Sequence, residues 1–178
     1  MASSPSPGQD VSVRSARLSD LAELVRFSAA MAEETERRTL DLDRLRQGIS
    51  GVLTSKERGY YLVAETGSRV VGQLLITYEW SDWRNGVFWW IQSVYVEPAM
   101  REGGVYRTMH DYVLQEAKRR PDVCGIRLYV EKDNVVAQAA YRRLGMRVTG
   151  YHVYEQDFVL SRRTRLRWAN LDFTRRIR

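Results

Sequence analysis

Between Arg101 and Arg107 the chain reads Arg-Glu-Gly-Gly-Val-Tyr-Arg, where an apolar helical stripe begins. Amides at a helix start lack intrahelical acceptors, and the helix dipole there favours an anion. Gly103 and Gly104 would let a phosphate come close to the backbone, and Arg101 and Arg107 would add charge-assisted donors. The chemistry these residues suit is the holding of a pyrophosphate. Two adjacent glycines equally suit an ordinary turn before a helix. A second constellation follows: Asn134, Ala137, Tyr141 and Gly145, spaced three, four and four apart. Asn134 suits a helix N-cap, Tyr141 would lie on that helix, and Gly145 suits its left-handed end.

These residues need elements to position them. Val11 to Ala16 reads as a first strand. Ser19 or Asp20 caps a helix with the stripe Leu21, Leu24, Val25, Ser28 and Met31. A second helix starts near Asp41 or Asp43 and carries Leu42, Leu45, Ile49 and Val52. Strands follow over 60–65, 69–80 and 87–96, the last two joined by the Asn85-Gly86 turn signal. The helix opened by Gly103-Gly104 would bury Val105, Met109, Val113 and Ala117 and stop at Pro121. Ile126, Leu128 and Val130 alternate as a strand. A helix runs from Asp133 or Asn134 to Gly145, and Met146 to Phe158 reads as a last long strand. The order β-α-α-β-β-β-α-β-α-β predicts a mixed α/β sheet, antiparallel early and with a parallel strand–helix–strand unit late.

Bulk properties narrow the function. A chain of 178 residues suits one domain. Cys124 is the single cysteine, so no intrachain disulfide can form, and its expected role is a small buried apolar residue. With two distant histidines, His110 and His152, and no paired ligand spacing, no metal site is expected. The start lacks the basic and apolar runs of a signal peptide, and no stretch is long and apolar enough for a membrane span, so a cytoplasmic protein is expected. The net charge of +6 comes from the stretch 161–178, where seven arginines stand against Asp172. Nucleic-acid binding could rest only on that tail, with Trp168 and Phe173 to stack on bases. A solvated or packed extension is the preferred reading, so no nucleic-acid partner is expected.

The stretch from Val94 to Gly145 resembles the GNAT superfamily of N-acetyltransferases. That family's coenzyme A motif, Arg or Gln-x-x-Gly-x-Gly or Ala, follows a strand ending in a Pro-containing turn; here it is Arg101-x-x-Gly104-x-Tyr106 after Pro98. The family's second element is matched by Asn134, Ala137, Tyr141, Gly145 and Met146, in the same order. The chain is most similar to the small-amine and polyamine-type bacterial members. Two positions depart from the pattern. Tyr106 stands where Gly or Ala is usual, so its phenol must turn away from the pyrophosphate or stack on the cofactor. Gln92 stands where polyamine-type relatives often carry Glu, and an amide cannot accept a proton at neutral pH.

The resemblance implies the GNAT fold: a mixed sheet of six to seven strands, a splayed fourth and fifth strand, and about four helices. It implies acetyl-coenzyme A as cofactor, with its pantetheine between those strands. Val94, Tyr95 and Val96 would offer backbone groups to the pantetheine, and one amide would polarise the thioester carbonyl. Arg101, Glu102, Gly103, Gly104, Val105, Tyr106 and Arg107 would hold the pyrophosphate. Asn134, Ala137 and Tyr141 would border the cofactor, and Tyr141 would be the general acid for the leaving thiolate. An amine would attack directly, with no covalent enzyme intermediate. The first helices and the hairpin would wall the acceptor site. They carry Glu33, Glu34 and Glu36, then Glu79, Trp80, Asp82 and Trp83, with Gln92 nearby. Carboxylates among tryptophans suit a cationic amine. The same residues also suit a solvated helix end, hairpin packing or a dimer contact.

The expected organisation is a disordered segment at 1–10, an acetyltransferase domain at 11–158 and a basic extension at 159–178. The expected function is transfer of an acetyl group to a primary amine by a homodimeric enzyme. The alternative is a weakly catalytic acyl-coenzyme A-binding module.

Overall fold

The computed structural model describes residues 10–159. The terminal segments assigned above therefore lie outside the described residues, save for Asp10 and Val159. The elements are β1 (Val11–Ser15), α1 (Leu21–Glu36), α2 (Leu42–Leu53), β2 (Tyr60–Thr66), β3 (Arg69–Ser81), β4 (Gly86–Val96), α3 (Val105–Arg119), β5 (Val123–Leu128) and α4 (Val135–Arg143). Five strands lie side by side in the order β1-β2-β3-β4-β5. All neighbours are antiparallel except β4 and β5, which are parallel and joined by α3.

Local chemistry sets the helix boundaries. The Asp20 carboxylate accepts from the Arg17 amide at 2.6 Å and from Arg14 at 2.7 Å, just before α1. The Arg14 guanidinium holds the Asp20 carboxyl below its ordinary range. Asp41 caps α2, accepting from the amides of Asp43 and Arg44. One sheet face packs on α1 and α2 through Leu24, Val25, Ile49, Tyr61, Val63 and Leu75. The other packs on α3, whose Val105, Met109, Val113 and Ala117 lie against Leu62, Leu74, Ile76, Trp89 and Ile91. That spacing of four along α3 is the buried stripe expected from sequence.

The sheet corrects the expectation of six to seven strands. Residues 146–159 form no strand, so the described sheet has five. Val123 begins β5, which ends at Leu128, short of Val130. The β-rich stretch after Gly145 does not pair with β5, the outer strand of the described sheet, and strand propensity expresses itself only against a neighbouring surface.

Candidate active site

The polypeptide leaves β4 at Val96 and turns sharply before α3. Glu97, 7% exposed, is fastened by Arg26 and Arg69. A short 3-10 turn over Pro98–Met100 leads to Glu102 (φ 64°) and Gly104 (φ 83°), both in the left-handed region. Gly104 directly precedes the first turn of α3, and a Cβ placed on it would meet nothing within 4 Å. Open space thus lies beside Gly104, next to the first-turn amides, which a helix leaves without intrahelical acceptors. Those features fit a pyrophosphate. The two arginines are engaged elsewhere. Arg101 donates to the Val96 carbonyl at 2.9 Å and to Glu34 at 2.6 Å, which draws it toward α1. Arg107 lies 3.8 Å from Asp111, one turn along α3. The donors aimed into the loop are therefore backbone amides.

Beside this loop the sheet opens. The β4–β5 ladder joins Val87–Ile91 to Val123–Leu128, and among the described residues Gln92–Val96 has no β5 partner. This is the splay expected between the fourth and fifth strands. On its other side β4 is bulged: Leu75 pairs with Gln92 and Gln73 with Tyr95, so Ser93 and Val94 together oppose Leu74. Ser93 has φ 49°. A bulge twists its strand and re-aims the groups that follow it, here Val94, Tyr95 and Val96.

Gln73, fully buried, braces the bulge by donating to the Ser93 carbonyl at 3.2 Å and to the Ser28 hydroxyl at 3.0 Å. Sequence reasoning missed it. The available signal was an amide within the apolar run Val70–Ile76. Gln73→Leu should therefore lower turnover about tenfold or more through a misplaced bulge, while the protein stays folded, because both partners tolerate an apolar replacement poorly but locally. Steady-state kinetics alongside thermal melting checks this; unchanged turnover would remove Gln73 from the account.

Tyr141 lies on α4, which Asn134 caps by accepting from the Ala137 amide at 3.0 Å. The Tyr141 ring meets Tyr106 edge-on at 5.6 Å. Two motifs far apart in sequence thus meet at the first turn of α3. Burial raises the Tyr141 phenol above its ordinary pKa. The Tyr106 phenol is raised further, by burial and then by Tyr141. The Tyr106 hydroxyl is buried without a hydrogen-bond partner. Tyr106 therefore turns its ring toward α4, where it packs against Tyr141.

On the α1 face, Glu79 of β3 accepts from Arg127 at 2.8 Å and from the Trp90 indole. Trp90 stacks on Tyr129 at 4.3 Å, and Arg127 lies 3.7 Å over Phe88. Gly125 makes room for that Phe88 ring, since a Cβ there would come within 2.6 Å of it. Gln92 donates to the Thr77 hydroxyl at 2.5 Å on the same face. Glu34 joins Tyr95 at 2.9 Å and Arg101. These residues line one surface beside the splay. Trp80 does not join them, because alternation puts it on the face opposite Glu79. Asp82 sits in the hairpin turn and accepts from the Trp83 amide, and Glu33 is exposed on α1. Trp89 is buried with α3, so the adjacent tryptophans Trp89 and Trp90 serve opposite faces.

A mixed sheet parting beside an amide-lined helix start defines a class of acyl-transfer enzyme. The sequence matches the acetyltransferase (GNAT) family over residues 19–146, and the chain belongs to that family. It is an acetyl-coenzyme A-dependent N-acetyltransferase. Among solved structures it is similar to a possible acetyltransferase from Clostridium difficile 630, with 40% identity and a TM-score of 0.78 over 84% of this chain and 98% of that one. A predicted acetyltransferase with acetyl-CoA from Clostridium acetobutylicum is 19% identical, with a TM-score of 0.68 over 83% and 96% of the two chains. A ribosomal-protein-alanine N-acetyltransferase from Brucella melitensis biovar Abortus 2308 is 16% identical, with a TM-score of 0.69 over 84% and 99%. The last two share the fold alone. A search of curated proteins returns no match. Among the described residues, no helix is long and apolar enough to cross a membrane.

Proposed function

We propose that this enzyme transfers an acetyl group to the primary amine of a small cationic molecule, by direct attack within a ternary complex. The observation that carries the reading is the meeting of Tyr141 with the first turn of α3 next to the unpaired end of β4. Acetyl-coenzyme A supplies an activated thioester. The amides of Glu102 to Arg107 hold its pyrophosphate, and the backbone of Val94, Tyr95 and Val96 orients its pantetheine. A β4 amide donates to the thioester oxygen as that oxygen takes up charge. Tyr141 donates its phenolic hydrogen toward the departing sulfur. Gln92 cannot serve as base, so the amine loses its first proton to a base elsewhere or to water; the proton that nitrogen sheds on forming the amide passes to solvent, from which Tyr141 regains the hydrogen it gave to sulfur.

The acceptor enters from the α1 face. Glu79 uses two of about four carboxylate lone-pair sites on Arg127 and Trp90, and retains capacity for an ammonium group. Trp90 and Tyr129 offer π faces to the same cation. Asp82 extends the negative charge at the hairpin turn, and Glu33 and Glu34 do so on α1. Changing Glu79 and Asp82 together to Gln and Asn should raise the Michaelis constant for the amine about tenfold, with a smaller fall in turnover. Kinetics on the preferred amine test this; a neutral or anionic preferred acceptor, or unchanged constants, would refute the assignment.

A further inference from the structure

We infer that the acceptor is a basic α-amino acid, whose carboxylate is held by Arg84 and Arg127, whose α-ammonium is held by Glu79, and whose side-chain amine is the one acetylated. This rests on the amine-acetyltransferase reading above and narrows it, since such an amino acid is still a small cation. The first observation is the crowding of positive charge on one ring. Arg127 lies 3.7 Å and Arg84 5.1 Å from the centre of the Phe88 ring. One carboxylate answers them: Glu79, 2.8 Å from Arg127. Asp82, two residues before Arg84, accepts from the Trp83 amide instead. Two guanidiniums against one carboxylate leave one positive charge without a partner among the described residues. Arg127 gives Glu79 one of its five N–H donors, and a guanidinium fork matches a carboxylate in shape as well as in charge.

The second observation is that opposite charges stand side by side on an open part of the sheet. On β3 the apolar cluster beneath α1 and α2 stops at Leu75. Glu79 lies beyond it, its side chain 42% exposed, beside Arg127 at 26%. An α-amino acid carries its ammonium and its carboxylate on one carbon. An adjacent carboxylate and guanidinium form the matching pair, Glu79 for the ammonium and Arg127 with Arg84 for the carboxylate. A simple diamine could satisfy Glu79, but it would set its ammonium beside two arginines and bring no anion of its own.

The strand register places the side-chain amine. Arg127 pairs with Trp90 across the β4–β5 ladder, which ends one residue later at Ile91 and Leu128. Gln92 begins the unpaired end of β4, two residues past Trp90, or about 7 Å along the strand. With the amino-acid head at Glu79 and Arg127, a side chain of a few carbons carries its amine that far. There nitrogen bonds to the acetyl carbon as the carbon–sulfur bond breaks. Sulfur takes the Tyr141 hydrogen, and the proton shed by nitrogen passes to solvent.

Lysine, 1,5-diaminopentane and norleucine test this on the full chain. The second lacks lysine's carboxylate, and the third lacks its side-chain amine. Lysine should be acetylated on its side chain, with a specificity constant about tenfold or more above that of 1,5-diaminopentane, as charge-assisted hydrogen bonds to a carboxylate imply. Norleucine should compete with either amine and remain unacetylated. Arg84→Gln and Arg127→Gln should each shrink the preference for lysine and weaken inhibition by norleucine. The native enzyme alone decides the matter where a variant does not fold. A specificity constant for the diamine equal to or above that for lysine would overturn the inference and leave an amine acetyltransferase in place. So would acetylation of lysine on its α-amine, or no inhibition by norleucine. Turnover of neither amine would overturn both readings.

Discussion

Tyr141→Phe should lower turnover by about 10²–10⁴ and leave acetyl-coenzyme A affinity nearly unchanged, as expected for a positioned acid. The substitution keeps the ring, so its edge contact with Tyr106 and the packing of α4 survive. What it removes is the Tyr141 phenolic hydrogen, while the Tyr106 hydroxyl, buried without a hydrogen-bond partner, stays in place. A thiol has an ordinary pKa of about 8.5 and a phenol of about 10. Burial pushes Tyr141 higher still, so the group is protonated throughout the neutral range and can donate. The donation matters only as sulfur departs, which places the loss in turnover and not in binding. The sign of the pH dependence follows. A raised phenol keeps its proton as pH rises, so Tyr141 produces no alkaline loss of turnover below about pH 10. Turnover and cofactor dissociation constants measured for both forms check the role. A fully active Phe variant would clear Tyr141 and leave water as the donor, whereas an unfolded one would reduce the residue to packing.

Gly104→Asp should abolish the thermal shift that acetyl-coenzyme A produces. Ligand at about 100 times its dissociation constant stabilises a protein by roughly 2.7 kcal/mol. For a domain of this size that is about 5–11 °C, taking roughly 2–4 °C per kcal/mol. Gly104 has φ 83°, and a side chain there costs about 1–2 kcal/mol. An aspartate just before α3 recovers part of that cost by favouring the helix N-terminus, so the variant should still fold. Its carboxylate would occupy the open space beside the first turn of α3 and repel a pyrophosphate there. Gly104→Ala pays the strain without adding charge and should keep a reduced shift. Melting curves of all three proteins with and without cofactor separate the effects. A full shift in the Asp variant would move the pyrophosphate away from this loop.

Much of the framework was legible because local patterns carry it. The stripe Val105, Met109, Val113 and Ala117 is a helix period and faces the core. The hairpin falls where Asn85-Gly86 signals it, with Asn85 (φ 44°) ending the turn and Gly86 opening β4, and Asn134 caps α4. The α3 cradle was legible from two glycines in context. The roles of its arginines were not, because Arg101 finds Glu34, 67 residues earlier in the chain, and periodicity does not encode that pairing. Gln73 was hidden for the same reason: its partners are Ser28 and Ser93, on other elements. Grouping Trp80 with Glu79 came from adjacency, although adjacent strand residues face opposite ways. The segment after Gly145 misled the strand count because its composition favours a strand, but a strand exists only where it pairs, and this segment does not pair with β5.

The most direct test of the central claim is release of coenzyme A thiol from acetyl-coenzyme A, measured against a panel of primary amines. The account predicts release that depends on the amine, saturates with it, and leaves the amine heavier by one acetyl group. Polyamines and other small cations should give the highest specificity constants, and Tyr141→Phe should depress the rate. Cofactor binding with no amine-dependent release across the panel would contradict the assignment of an amine acetyltransferase.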